Sequence, residues 1–452
     1  MLILRKVFPA LLVLCLILTW SAEPARAQTR RLSFIRDAEI EHTIRTYARP
    51  IFQAAGISPS AVKIYIVNSP SINAFVAGGQ NLFVHTGLLL AAASAGEVIG
   101  VIAHEAGHIA GGHLARGQEE LENARRTALL STLLGLAATV AAGSGGAGAA
   151  VMSGGATIAE RDFLSFTRSM ENAADQAALT LLDRAGYSAE GLATFLERLE
   201  DQELVPTDRQ VEYVRTHPLT LDRIDVVRNH VATSPNTGRP FPPAYDEMLA
   251  RVKAKLFGFL SPQIAMRRYP PDDQSVAARY ARAVAEYKRG AIQTAITEVD
   301  ALIAQEPENP FFHELRGQML LESGRLDEAR PSYERAVALF PNEPTLLVPL
   351  AQTKIDSADP ATAQSAVQDL EAAVAVDPDM PIAWRLLATA YGKAGDLGMA
   401  AVALAEEALA RGDGETAALQ ADRALQTLPA GSPGALRAQD IQRAAEDLKD
   451  DD

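Results

Sequence analysis

The stretch that most constrains the fold is His104-Glu-Ala-Gly-His108, set in the run SAGEVIGVIAHEAGHIAGGHLARGQEE. Ser94 followed three residues later by Glu97 is a capping-box start, and Val98, Ile99, Val101, Ile102 and Ile109 supply an apolar face. The run therefore reads as a buried amphipathic helix with His104 and His108 one turn apart on one face. Two imidazoles so placed can converge on one cation, while Glu105 projects beside them towards the position of a polarised water. Three ionisable groups on a buried helix are costly without a shared partner such as a metal. A bare H-E-x-x-H also arises by chance, so the reading depends on what the rest of the chain brings to this face.

Downstream, Ser169-Met-Glu-Asn-Ala-Ala-Asp-Gln-Ala-Ala-Leu reads as a helix with Glu171 and Asp175 one turn apart. A carboxylate is a good third zinc ligand, and a second can hold the free N–H of a ligating imidazole. Taken alone, such a pair is usually a solvated acidic face. Together with Asn73-Ala-Phe, the glycines of the neighbouring strand segment and Gly87-Leu-Leu, the two motifs resemble the gluzincin family that includes HtpX and the CAAX prenyl proteases. The resemblance implies one Zn²⁺ per chain, with His104, His108 and Glu171 as ligands, Glu105 as general base and Asp175 orienting a ligand histidine. His217, in Thr216-His-Pro-Leu, matches a histidine that in one subgroup occupies the fourth zinc position and holds the enzyme inactive. The bland alternative for His217 is a loop histidine beside a proline. Arg223 follows closely and has no role assignable from sequence.

Residues 1–27 carry a basic start at Arg5 and Lys6, an apolar stretch from Val7 to Trp20 and an Ala25-Arg26-Ala27 cleavage site, the pattern of a secretory signal. An uncleaved anchor would want a longer apolar run. The only cysteine, Cys15, falls inside this segment, so the mature chain has no thiolate for metal binding or catalysis. A formal net charge of −14 argues against a general nucleic-acid surface. A secreted peptidase domain with no clear membrane span, followed by helical repeats, is similar to the periplasmic protease-and-chaperone branch of the family in Gram-negative bacteria.

Between signal and metal helix, residues 34–55 read as a helix, Val62–Val67 as a strand, and Asn73–Gly87 as two short strands around Gly78-Gly79. Asn81, Leu82, Phe83 and Val84 form the candidate strand for pairing with an extended substrate, or an ordinary sheet strand. His85 at its end reads as structural. In astacin-like zinc proteases a third histidine follows the second by six residues, but here that position is Leu114. On a continuing helix His113 points off the metal face, to a surface or supporting role. The apolar and glycine-rich stretch 128–155 fits a buried helical hairpin, a lid or a segment touching a membrane surface, and its glycine content favours a mobile cover.

Beyond 258, Gly290 and Gly324, Pro307 and Pro341, and Ala295 and Ala329 each recur 34 residues apart, the tetratricopeptide period. A short insertion near Ala358–Thr362 stretches the next interval, and Gly412 to Pro429 completes about four repeats, whose stacked helices leave a concave surface for a protein segment. The sequence thus predicts an α+β zincin-type metallopeptidase domain (28–258), a linker (259–273), an all-α tetratricopeptide solenoid (274–430) and a C-terminal tail (431–452) with a frayed acidic end. The resemblance implies a periplasmic zinc endopeptidase acting on unfolded or misassembled outer-membrane proteins, its repeats holding clients or assembly machinery. A chaperone with a silenced protease site and a zinc hydrolase of cell-wall peptides are the alternatives.

Overall fold

A computed structural model describes residues 33–142, 145–206 and 209–450. Residues 1–27, read above as a secretory signal and holding Cys15, and the last two residues lie outside the described residues. From Ile35 onwards the chain forms one compact body. Helix Ala38–Ala54 opens it, capped by the Asp37 carboxylate, which accepts the Ile40 N–H at 2.9 Å. Its inner face, Ile40, Ile44, Tyr47, Ile51 and Phe52, is buried in the N-terminal core.

Strand Lys63–Val67 pairs parallel with Asn81–His85, which also pairs antiparallel with Ala74–Ala77. The hairpin expected around Gly78-Gly79 is present, both glycines having positive φ (55° and 91°). The pairing corrects one expectation. Asn81, Leu82, Phe83 and Val84 have neighbours on both edges, so their backbone groups are already engaged. Ala74–Ala77 lies at the end of the sheet order and carries the open edge.

The metal helix, Ala95–Ala110, lies in the middle of this core with Val98, Ile99, Val101 and Ile102 at most 1% exposed. Burying each such side chain contributes about 1.5–3 kcal/mol. Ser94 caps it by accepting the Glu97 N–H, and Glu97 in turn accepts from Ala93. The following stretch departs from the expected mobile cover. Residues 113–142 and 145–185 are two long helices packed along each other, and the glycines from 145 onwards are helical. Packing between two helices outweighs the intrinsic cost of glycine in them. Among the described residues no helix is long and apolar enough to cross a membrane.

The expected linker is helical over 259–260 and Pro262–Arg268 and irregular from 269 to 273. Pro243–Leu260 places Leu249, Val252 and Leu256 in the N-terminal core and Ala254 in the core of the repeats, and Pro262–Arg268 follows directly. Five helix pairs then stack: Val276–Lys288 with Ile292–Gln305, Pro310–Glu322 with Leu326–Leu339, Pro344–Ile355 with Pro360–Val376, Pro381–Lys393 with Leu397–Ala410, and Gly414–Thr427 with Pro433–Asp450. The insertion near 358–362 appears as a second helix of 17 residues where the two preceding ones have 14. The fifth pair takes up most of the predicted tail, because Ala438, Ile441 and Ala445 pack on Ala417, Ala421 and Ala424.

The repeats fold back on the first helix through a buried charged seam. Lys255, 1% exposed, lies 2.7 Å from Asp37 and 3.2 Å from Glu314. Glu39 is bound by Arg251 at 3.1 Å and by the Tyr280 hydroxyl at 2.8 Å. Ala38 packs with Phe311, Ala336 and Leu346 beside this seam, and Arg36 pairs with Asp377 at 2.8 Å.

Candidate metal centre

His104 and His108 leave the metal helix on one face, with their Nε2 atoms 3.1 Å apart. The long helix 145–185 crosses behind and brings Glu171 to both: Oε2 is 3.2 Å from His104 Nε2 and Oε1 is 3.4 Å from His108 Nε2. The small residue in the middle of the motif makes this approach feasible. A Cβ on Gly107 would stand 2.6 Å from the Ala174 carbonyl oxygen, between Glu171 and Asp175, and would push the carboxylate helix away. His217, at the end of the short helix Glu212–Thr216, completes the cluster, its Nδ1 3.4 Å from His104 Nε2 and 3.3 Å from Glu171 Oε2. One ligand atom from each of these four buried residues falls within 4.8 Å of the other three.

Asp175 lies one turn after Glu171 and holds His104 Nδ1 at 2.8 Å. Arg223, to which the sequence assigned nothing, is 1% exposed and grips Asp175 with two bonds, of 2.6 and 3.0 Å. It also reaches Glu171 at 3.1 Å and the Pro218 carbonyl at 2.8 Å, tying the His217 loop to the carboxylate helix. For His113 the continuing helix is corrected, while the supporting role stands. His113 is buried, and its Nδ1 is 3.0 Å from His108 Nδ1. The metal helix stops at Ala110 and Gly112 turns with φ +61°, so the assumption of a continuing helix fails there. A Gly-Gly pair after the motif was the sequence signal for that break.

The electrostatics favour a cation. Burial would raise the Glu171 carboxyl, but the charge on His217 and hydrogen bonds from three imidazoles hold it well below the usual carboxylate range. Burial would raise Asp175 too, and Arg223 with His104 keeps it lowered. Burial opposes charge on His104, yet Asp175 and Glu171 push it up to about 10, a measure of how strongly the pocket attracts positive charge. Burial, then the charge on His108, pushes His113 down to about 4, so it is neutral near neutral pH. Three carboxyl groups, on Glu105, Glu171 and Asp175, face a single guanidinium. Both Glu105 oxygens are buried without a hydrogen-bond partner, although His217 Nε2 is 3.5 Å from one of them. A divalent ion among two imidazoles and a carboxylate, with a water beside Glu105, would satisfy both the charge and the orphaned oxygens, so the donor set fits a tetrahedral metal.

Comparison with known proteins agrees with this geometry. Residues 35–231 match peptidase family M48, and residues 280–344 and 350–416 match the tetratricopeptide repeat. Over 369 residues the chain is 28% identical to the beta-barrel assembly-enhancing protease of Yersinia pestis, covering 80% of this chain and 74% of that protein. It is 26% identical over 409 residues to the protein of the same name from Escherichia coli strain K12, covering 88% and 80%. The metalloprotease LoiP of the same strain is 28% identical over 197 residues, covering 43% of this chain and 72% of LoiP. The chain is a metalloprotease: residues 35–231 match a peptidase family M48 domain and carry a buried His/Glu cluster compatible with a metal, and an array of tetratricopeptide repeats follows.

Proposed function

We propose that this protein is a zinc-dependent endopeptidase of the Gram-negative periplasm that removes misassembled or stalled outer-membrane proteins. The observation that carries the reading is the buried set His104, His108, Glu171 and His217 with the Glu105 carboxylate left unpaired beside it. Similarity to proteins named beta-barrel assembly-enhancing protease supports the client class, and the leader read in residues 1–27 supports export. The repeats would hold clients or assembly machinery on their concave face.

His104, His108 and Glu171 would hold the ion, and His217 the fourth position at rest. Zn²⁺, when bound, would supply Lewis acidity to a water and to the scissile carbonyl. Glu105 would accept a proton from that water and deliver it to the leaving amine. Asp175, braced by Arg223, fixes His104 so that Nε2 points towards His108 and Glu171. An extended substrate pairs with the open edge of Ala74–Ala77 rather than with Asn81–Val84. His217 Nε2 lies 3.2 Å from the Ala74 carbonyl oxygen, so at rest it occupies part of that edge. Substrate pairing and departure of His217 are thereby linked.

A second reading, a chaperone whose protease is mostly silent, has one observation in its favour: His217 sits inside the donor set. Zinc content and cleavage of an unfolded outer-membrane protein, compared for wild type, Glu105→Gln and His217→Ala, decide between them. Metal in all three, cleavage lost in Glu105→Gln and raised in His217→Ala, is the result expected of a self-plugged protease. Client folding that depends on the repeats but not on Glu105, with no cleavage by His217→Ala, would establish the chaperone. Wild-type protein without metal would overturn the metal reading.

A further inference from the structure

The two histidines of the motif are held differently. His104 leans on a carboxylate, Asp175 at 2.8 Å, itself braced by a guanidinium. His108 has an imidazole partner, His113. The Nε2 of His108 faces His104 and Glu171, so a metal held there would use the Nε2 lone pair, and the ring proton must then reside on Nδ1. That Nδ1 lies 3.0 Å from His113 Nδ1, with the two rings nearly perpendicular (82°) and their centroids 5.0 Å apart. His113 can accept this bond only through an unprotonated Nδ1, with its own proton on Nε2.

The backbone around His113 is built for this contact. The metal helix is capped at Gly111, Gly112 takes φ +61°, and the next helix starts at His113 itself. Without that reversal the side chain five residues after His108 would point away from it. Gly111 adds a second constraint. A Cβ there would stand 2.4 Å from His113 Nε2 and 2.7 Å from its Cδ2, so the imidazole lies directly against the glycine backbone. Such close approach fixes the plane of the ring as well as its position.

We propose that His113 is the positioning residue of the second ligand histidine: it sets the tautomer and ring plane of His108, and the Gly111-Gly112 turn exists to deliver it. The asymmetry has a chemical meaning. A ligand backed by a carboxylate gains basicity, whereas one backed by a neutral imidazole does not, so His104 binds as the stronger donor and His108 as the weaker. This inference rests on the metal reading above. Wild-type zinc binding is therefore the first measurement, and its absence would overturn both.

The test uses the full chain with His113→Leu, His113→Asn and Gly111→Ala. Zinc affinity is measured by chelator competition, the visible spectrum is recorded on the cobalt-substituted protein, and the melting of the metal-free protein serves as a folding control. The expected result is a loss of zinc affinity of roughly 10–100-fold in His113→Leu, the usual effect of removing a group that orients a ligand. His113→Asn, whose amide oxygen can accept the same proton, restores affinity to within a few-fold and returns the cobalt spectrum to that of wild type. Gly111→Ala moves affinity in the same direction as His113→Leu, by less. Zinc affinity of His113→Leu within twofold of wild type would overturn the proposal, as would an Asn variant no better than Leu. If His113→Leu does not fold, the Asn and Gly111→Ala variants carry the test: wild-type cobalt spectrum and affinity in Gly111→Ala, with Asn as weak as a metal-free chain, would overturn it.

Discussion

The molecule buries two charged clusters, and they are finished differently. At the seam, Lys255 meets Asp37 and Glu314, while Glu39 meets Arg251 and the Tyr280 hydroxyl. Its charges are answered by other residues of the chain. At the metal centre three carboxyl groups face one arginine, and both oxygens of Glu105 lack a hydrogen bond, with His217 Nε2 3.5 Å from one of them. A buried charge left without its counterpart costs several kcal/mol, so a fold tolerates it where something from outside completes the set. The closed cluster joins two parts of the protein; the open one fits a metal ion.

Substitutions can sharpen that contrast. Glu105→Gln has the largest expected effect: peptidase activity falls by roughly 10²–10⁴-fold, while melting temperature stays level or rises, because an unpaired buried carboxyl is removed. The same kind of change at the seam does the reverse. Lys255→Met leaves acids uncompensated and lowers stability by roughly 3–5 kcal/mol in denaturant unfolding, with zinc content unchanged in the folded fraction. Asp175→Asn weakens zinc binding by roughly 10–100-fold in chelator competition and leaves the seam intact.

The smallest effect is on pH dependence. Burial, partly offset by Lys255, raises Glu314 to about 7 from an ordinary 4.5. The folded carboxyl therefore binds its proton more tightly than the unfolded one. Its contribution to stability is full below about 4.5 and is lost as pH rises through about 7. Melting temperature should fall more steeply between pH 5 and 8 in wild type than in Glu314→Gln. An equal slope in both would mean that the seam charges do not titrate in that window.

Much of this was legible in the residues, for identifiable reasons. His104, Glu105 and His108 follow from helical periodicity, as do Glu171 and Asp175, because one helix fixes their relative positions. The 34-residue step marked the repeats because stacking demands the same turn each time. What was missed depends on relations between elements. Arg223 has no spacing rule to the carboxylates it binds. The contact of His113 with His108 was hidden by a helix break two residues long, although a supporting role was among its readings. Asn81–Val84 looked suited to pair with substrate, yet which strand keeps a free edge is decided by sheet order. The alanine-rich helix Pro433–Asp450 has few large side chains to announce it, and only its packing on the preceding helix makes it part of the array.

Helix Pro243–Leu260 puts Leu249, Val252 and Leu256 into one core and Ala254 into the other. Neither core is complete without it, and neither can surrender it. The protease and its repeats are therefore expected to unfold as one cooperative unit: a single melting transition is the expected outcome, and a cut near residue 260 should not release two stable halves.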